Sequence, residues 1–201
     1  AKVAFTSEDR VRDVIRNFNA DGFSSLYPKY KGGHPPKFTL PQRREIKKVA
    51  KAFPDVNFAI IDDAPDPALP NVQGLLFKEQ ESGYLAGYLA ALTSKTGTVS
   101  TVGGQKIPPV DHYIAGYIAG AKAANPKVKE LNDYSNSFTD TAKCKQLALN
   151  QISQGSDVVF QVAGGCGLGA LSAAKEKGVW GIGVDADQAY LGDYILTSAI
   201  K

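Results

Sequence analysis

Short apolar runs recur along residues 58–201 and alternate with segments in which apolar residues follow a helical period. Runs of this kind are typical of strands that are buried on both faces of a sheet. Strands are predicted at residues 58–62, 72–77, 98–102, 128–134, 157–162, 179–184 and 194–198. Helices are predicted at residues 78–94, 112–124, 141–154 and 170–177. This alternation indicates an α/β fold with parallel sheets.

The most informative stretch covers residues 155–187, where the pattern predicts a strand, a glycine turn, a helix and a second strand. Residues 163–169 include four glycines, which let the backbone turn sharply and approach a ligand closely. Gly178 is expected to end the helix, and Asp185 follows the second strand. A right-handed βαβ unit brings the glycine turn and Asp185 to the carboxyl edge of a sheet, where ligands of open α/β sheets bind.

Residues 1–52 follow a different pattern. A capped helix is predicted from about Thr6 to Phe18, with apolar residues at helical spacing. Residues 23–39 are rich in Pro, Gly, Lys and Tyr, which is typical of an extended linker. A second helix follows over residues 42–52, with Pro41 at its first turn. We therefore predict a basic helical segment at 1–52, a partial first lobe at 53–104 and a second lobe at 105–201.

The charge of the chain changes sign along its length, although the net charge is +3. Residues 1–52 hold 12 Lys and Arg against five Asp and Glu, whereas residues 53–201 hold 11 against 15. Such asymmetry suggests two segments with different partners. No apolar run approaches the roughly 20 residues of a membrane span. The first residues show neither the apolar region of a signal peptide nor a lipidation cysteine.

Few residues suggest catalysis or metal binding. The two cysteines, Cys144 and Cys166, allow at most one disulfide and have no metal-site spacing, and two buried thiols are the expectation. His34 and His112 are isolated in the sequence, and His112 follows Asp111 at a predicted helix start, where a capping role is expected. No shared motif combines Ser, His and Asp. We predict that the chain is not an enzyme and holds no metal or cofactor.

Residues from about 49 to 201 closely resemble the basic membrane protein family of substrate-binding lipoproteins, the receptors of ABC importers for purine nucleosides. The matching stretches include NVQGLLFKEQESGYLAGYLAALTSKTGTV, YIAGYIAGAKAANP and QISQGSDVVFQVAGGCGLGALSAAKEKGVWGIGVDADQ. The resemblance implies a periplasmic-binding-protein-like fold of two Rossmann-type lobes that close over a ligand, here with the first lobe incomplete. It also implies an extracytoplasmic, membrane-tethered protein that binds a nucleoside and an importer permease.

The same resemblance implies the ligand-binding residues. Asp185, in GVDADQ, matches the ribose-binding Asp of the family, and a carboxylate can accept two hydroxyl hydrogen bonds. Phe138, in NSFTD, would stack on a purine, and Gly164 and Gly165 would pass close under the ligand. Lys201, in LTSAIK, matches a ligand-contacting Lys. Each assignment has an alternative. Phe138 could be a core aromatic, and Asp185 could cap the next turn. The glycines could serve the turn alone, and Lys201, the last residue, could be frayed. Because the first-lobe loops of the family are not in this sequence, we expect binding to be weak or lost.

Residues 1–52 resemble the N-terminal DNA-binding region of bacterial mariner-like insertion-sequence transposases, over the stretch TSEDRVRDVIRNFNADGFSSLYPKYKGGHPPKFTLPQRREIKKVA. The resemblance implies a chimera and, as an alternative function, DNA binding. It places Arg10, Arg12 and Arg16 near phosphates, with Arg43 and Arg44 on the surface of the second helix. The simpler interpretation is a basic, solvated pair of helices.

A dinucleotide-dependent enzyme is the third class of function. Residues 165–170 fit the pattern GxGxxA, and Asp185 lies 20 residues further on, where an acidic ribose ligand belongs. Only 16 residues follow Asp185, which is too short for the rest of a dinucleotide-binding domain. The sequence therefore favours a binding protein over this enzyme.

Overall fold

A computed structural model describes residues 40–64 and 66–201. In the first part, helix α1 spans Leu40–Ala52, and strands β1 (Phe58–Ile61) and β2 (Val72–Leu75) pair in parallel. The following elements are α2 (Glu79–Thr93), β3 (Thr98–Gly103), α3 (Pro108–Ala124), β4 (Lys129–Tyr134), α4 (Thr141–Ser153), β5 (Val158–Val162), α5 (Gly167–Lys177), β6 (Trp180–Val184) and β7 (Ile195–Ala199).

The predicted strands and helices of residues 58–201 are all present, which confirms the α/β pattern. The largest differences are at the starts of two helices. Helix α3 begins at Pro108 rather than at His112, because proline is favoured in the first turn, where its missing N–H costs no hydrogen bond. Helix α5 begins at Gly167 rather than at Ala170. His112 therefore lies inside α3 and not at its cap.

The described residues fall into two compact units, which are divided between Leu76 and Phe77. The boundary predicted after residue 104 differs from this division because β3 is an inner strand of the second sheet. The boundary predicted after residue 52 also differs, because α1 is tied to the strands of the first unit. The side-chain amide of Asn71 donates to the carbonyl oxygens of Ala50, Phe53 and Val56 at 3.0, 3.1 and 3.0 Å.

The second unit is built on a parallel five-stranded sheet with the order β4-β3-β5-β6-β7. Successive residues of a strand face opposite sides of a sheet. Val158, Phe160 and Val162 of β5 accordingly pack in a cluster with residues of α2 and α3. Val159 packs in a second cluster with residues of α4 and α5. The sheet is thus covered by helices on both faces, as is typical of parallel sheets.

Helices α2 and α3 approach each other through small residues. A Cβ atom on Gly87 would overlap the carbonyl of Tyr117, and one on Gly120 would overlap the carbonyl of Tyr84. Only glycine permits backbones to pack this closely. The larger apolar side chains of α2 lie on its outer face, where they are 37–70% exposed: Tyr84, Leu85, Tyr88, Leu89 and Leu92.

Cys144 and Cys166 form a disulfide with a Cα–Cα distance of 5.6 Å, which lies within the usual range. The expectation of two buried thiols is therefore wrong, although both residues are indeed fully buried. The two cysteines are 22 positions apart, and this spacing gave no sign of the pairing, because the bond depends on how the start of α4 packs against the turn after β5.

Residues 40–64 and 66–201 contain neither a candidate membrane-spanning helix nor a candidate metal-binding group. No helix among them is long and apolar enough to cross a membrane. Their His, Cys, Asp and Glu side chains form no group of three or more that could hold a metal ion.

Candidate functional site at the carboxyl edge of the sheet

The carboxyl ends of the strands in the second unit bring the predicted ligand residues to one edge. Strand β3 pairs with both β4 and β5, so that Gly103 lies opposite both Tyr134 and Val162. The loops after β4 and β5 therefore leave the sheet at the same level. Strand β5 pairs in turn with β6, which ends at Val184. Phe138, the glycine turn and Asp185 thus follow strand ends at one edge, as the sequence predicts.

Phe138 lies directly against the glycines of this edge. Its ring packs so closely on Gly104 that a Cβ atom there would overlap it. A Cβ atom on Gly164 would be 3.5 Å from Cδ1 of the ring, and one on Gly165 would be 3.2 Å from the Phe138 carbonyl oxygen. That carbonyl accepts a hydrogen bond of 2.9 Å from the backbone N–H of Cys166. The half-buried ring is therefore fixed between the ends of β3 and β5.

The loop that carries Phe138 is held by its own polar groups. The hydroxyl oxygen of Ser137 accepts hydrogen bonds from the backbone N–H groups of Thr139 and Asp140 at 3.2 and 3.0 Å. The carboxylate of Asp140 caps α4 by accepting from the N–H of Lys143 at 3.0 Å. These bonds position the aromatic side chain before any ligand arrives.

Asp185 directly follows β6 and has an unusual backbone conformation. Its φ of +65° lies in the left-handed region, which a residue other than glycine adopts at a cost in free energy. Its N–H donates to the carbonyl oxygen of Ala199 at 3.0 Å, which fixes the start of the loop. Its side chain is 48% exposed. An exposed carboxylate on a constrained backbone can accept hydrogen bonds from a ligand.

Two protein groups approach this carboxylate at Oδ1. The hydroxyl of Tyr113 donates to Oδ1 at 3.3 Å, and the ammonium of Lys201 lies 3.7 Å from the same oxygen. The Lys201 side chain is 17% exposed, and its Nζ lies 5.2 Å from the centre of the Phe77 ring. A cation over an aromatic face is attracted to it, so Lys201 is packed rather than frayed.

Tyr113 is a site residue that the sequence analysis missed. Burial raises the pKa of its hydroxyl well above the ordinary value, and the neighbouring Asp185 carboxylate raises it further. The hydroxyl therefore stays protonated and acts as a donor toward Asp185. A tyrosine among the apolar positions of a helix is typical of a core residue, and the signal that could have found Tyr113 is that a buried hydroxyl needs a partner.

Two buried glutamines connect the glycine turn to the Asp185 loop, and the sequence analysis missed this link as well. Gln161 donates from Nε2 to Oε1 of Gln188 at 2.7 Å. The same Oε1 accepts from the N–H of Val184, and Oε1 of Gln161 accepts from the N–H of Ala163, both at 3.1 Å. The side-chain amides thus bridge the ends of β5 and β6.

Arg10, Arg12, Arg16 and His34 lie outside the described residues, and the side chains of Arg43 and Arg44 in α1 also lie outside the described part.

The chain resembles a known protein family over most of its length. The family model described as "ABC transporter substrate-binding protein PnrA-like" matches residues 43–201. Basic membrane protein A1 of Borrelia garinii subsp. bavariensis is 42% identical over 162 residues, which cover 77% of this chain and 48% of the relative. The ABC transporter nucleoside-binding protein BmpA of Lactococcus lactis subsp. cremoris is 40% identical over 153 residues, which cover 72% and 43%. The chain thus spans about half the length of the curated relatives it matches.

Solved structures agree with the fold. A solute-binding protein of an ABC transporter system from Aeropyrum pernix K1 matches with a TM-score of 0.73 and 30% identity, over 81% of this chain and 49% of that chain. A transcriptional activator of the comK gene from Bacillus halodurans matches with a TM-score of 0.73 over 98% of this chain and 64% of that chain. At 23% identity, this second likeness shows the fold alone.

These comparisons confirm the resemblance of residues 49–201 to basic membrane proteins and give no support to a transposase chimera. The family match begins at residue 43, inside the helix that was assigned to the transposase-like segment. Because the family model covers most of its length, the chain belongs to the PnrA-like family of ABC transporter substrate-binding proteins.

Proposed function

We propose that this chain captures purine nucleosides, without catalysis, as the binding component of an ABC importer. The family membership supports a binding role, and the name of the relative from Lactococcus lactis supports a nucleoside as the ligand. The observation that carries the proposal is the exposed Asp185 carboxylate, which lies at the same sheet edge as Phe138.

In this proposal, Asp185 accepts hydrogen bonds from the two ribose hydroxyls. An ionised carboxylate accepts such bonds strongly, and both of its oxygens have lone pairs for them. Tyr113 and Lys201 orient the group from the protein side at Oδ1. The left-handed backbone at Asp185 supports the assignment, because strained residues cluster at binding and active sites.

Phe138 stacks on the purine, and Gly164 and Gly165 leave room for the ligand beside it. The ring is held on one side by Gly104 and by the glycine turn, so little side-chain freedom is lost when a base binds. An apolar ring and a polar carboxylate at one sheet edge match the two ends of a nucleoside, which has an aromatic base and a hydroxylated sugar.

Delivery to an importer permease and an extracytoplasmic location follow from the family and belong to the proposal. The Cys144–Cys166 disulfide supports the location, because disulfides persist mainly in oxidising compartments. Tethering to a membrane through a lipid stays a prediction from the resemblance.

The DNA-binding alternative is not favoured. Helix α1 carries Arg43 and Arg44, but most of it lies within the family match, and it is hydrogen-bonded to the strands of the first unit through Asn71. Retention on heparin together with a steep salt dependence of DNA binding would revive this alternative.

Thermal unfolding in the presence of ligands tests the proposal. A ligand that binds only the folded state raises the unfolding midpoint as its concentration increases. Because the sequence leads us to expect weak binding, the ligands are added at high concentration, where we expect inosine, adenosine and guanosine to raise the midpoint and free ribose to do so less at equal concentration. Equal effects of the nucleosides and ribose, or no effect of either, would count against nucleoside capture.

A further inference from the structure

The disulfide joins the two loops that carry the base-stacking half of the proposed site. Cys144 lies in the first turn of α4, six residues after Phe138. Cys166 is the last residue of a 3₁₀ turn, Gly164–Cys166, that forms the glycine turn. The sulfur–sulfur bond therefore connects the glycine turn to the helix into which the Phe138 loop leads.

Two backbone hydrogen bonds connect the cysteines of the disulfide to the Phe138 loop. The N–H of Cys166 donates to the carbonyl oxygen of Phe138 at 2.9 Å, and the N–H of Cys144 donates to that of Asp140 at 3.3 Å. The covalent bond and these two contacts fix the separation between the Phe138 loop and the glycine turn. Both cysteines are fully buried, so the disulfide lies below the surface of the sheet edge and does not contact a ligand.

The other half of the site is held differently. The glycine turn and the Asp185 loop are bridged by the side-chain amides of Gln161 and Gln188, at 2.7 Å. This bridge involves neither cysteine. Loss of the disulfide should therefore affect the Phe138 side of the edge and leave the Asp185 side in place.

We propose that the Cys144–Cys166 disulfide is a positioning element, which preorganises Phe138 and the glycine turn for base stacking. A ligand that meets fixed groups pays less for ordering them, so the tie should increase affinity. Reduction by a phosphine transfers two electrons to the disulfide, yields two thiols and leaves a phosphine oxide with an oxygen from water. The inference rests on the proposed function, because it assigns the stacking role to Phe138.

Hydrogen–deuterium exchange tests the positioning role without any ligand. The double variant Cys144→Ala/Cys166→Ala removes the tie. We expect faster exchange at residues 137–139 and 164–166 and unchanged exchange at residues 183–188. The matched control is Ala148→Gly, which lowers stability in the same apolar cluster but keeps the disulfide. In this variant we expect no selective increase in exchange at residues 137–139 and 164–166. Equal protection of both loops in the double variant and the parent would overturn the inference.

Affinity supplies the second readout. We expect the double variant to bind purine nucleosides more weakly by on the order of tenfold, and Ala148→Gly to bind like the parent. Faster loop exchange with unchanged affinity would overturn the inference while leaving the proposed function intact. If the parent binds no purine nucleoside, the proposed function fails, and with it the stacking role that the disulfide is inferred to serve.

Discussion

Two aspartates at opposite edges of the same sheet have opposite surroundings. Asp157 directly precedes β5, at the amino edge, and its carboxylate accepts three hydrogen bonds. The donors are the hydroxyl of Ser94 at 2.5 Å and the backbone N–H groups of Lys95 and Thr96 at 2.7 and 3.0 Å. Asp185 follows β6, at the carboxyl edge, where the contacts at its carboxylate come from Tyr113 and Lys201 and converge on Oδ1.

The difference separates a carboxylate that stabilises the fold from one suited to a ligand. Asp157 closes the connection between α2 and β3 by satisfying backbone N–H groups at the end of that helix. The Asp185 side chain is 48% exposed, and its left-handed backbone lies in a tight turn that a hydrogen bond of 2.7 Å closes, from the N–H of Ala186 to the carbonyl oxygen of Val184. In open parallel sheets, ligands bind at the carboxyl edge, which is where Asp185 lies.

The largest expected effect is on ligand binding at Asp185. Asp185→Asn keeps the shape of the side chain and tolerates the left-handed backbone, but it removes the charge that accepts the ribose hydroxyls. We expect purine nucleoside affinity to fall on the order of 100-fold, or by about 3 kcal/mol, with an unchanged midpoint of chemical unfolding. Titration calorimetry or ligand-detected NMR measures the affinity. The control is Asp187→Asn, two residues along the same loop, and equal losses in both variants would remove the special role of Asp185.

At Asp157 we expect a substitution to lower stability and to leave nucleoside affinity unchanged. Asp157→Ala leaves the N–H groups of Lys95 and Thr96 without their acceptor, which should lower the free energy of unfolding by about 2 kcal/mol. Nucleoside affinity of the folded protein should stay at the parent value. Urea unfolding measures the first quantity, with the surface variant Asp193→Ala as its reference. A stability equal to that of the reference, or a loss of affinity, would break the contrast between the two aspartates.

The smallest effect is expected at Tyr113, whose hydroxyl donates to Oδ1 of Asp185 from the protein side. Tyr113→Phe removes the hydroxyl that donates to Asp185, and we expect nucleoside affinity to fall by about 1 kcal/mol, or roughly fivefold. Tyr117→Phe, one helical turn further along α3, is the matched control. The Tyr117 hydroxyl is buried and has no hydrogen-bond partner among the described residues, so its removal should be neutral or slightly stabilising.

These two tyrosine variants should be compared by both affinity and unfolding. An affinity loss confined to Tyr113→Phe would support the orienting role of its hydroxyl. Similar affinities for the two variants would mean that Asp185 needs no donor from α3.

The sequence predicted the strands, most helix bounds and the edge shared by Phe138, Gly164 and Asp185. Those features follow from local patterns, because a parallel βαβ order places the strand ends at one edge independently of how the side chains pack. The structure brings Phe138 and Gly164 into contact and puts Asp185 after the neighbouring strand β6. Their roles in binding stay predictions.

The features that the sequence did not reveal depend on packing between distant elements. Tyr113 reaches Asp185 because of the way α3 crosses the sheet, and the apolar period of a helix carries no information about that crossing. The disulfide has the same origin, since it joins α4 to the turn after β5. The pattern of a buried strand also does not say which sheet the strand joins, and β3 joins the second sheet.

One measurement tests the central claim most directly, namely that the carboxyl edge of the second unit is the nucleoside-binding surface. Isotope-labelled protein is titrated with inosine while the backbone amide signals are followed, which detects weak as well as tight binding. The account predicts saturable shifts that are concentrated at Gly104, residues 137–139, residues 164–166 and Asp185, with the signals around Asp157 unchanged. Shifts that never saturate, or that map to the amino edge instead, would contradict it.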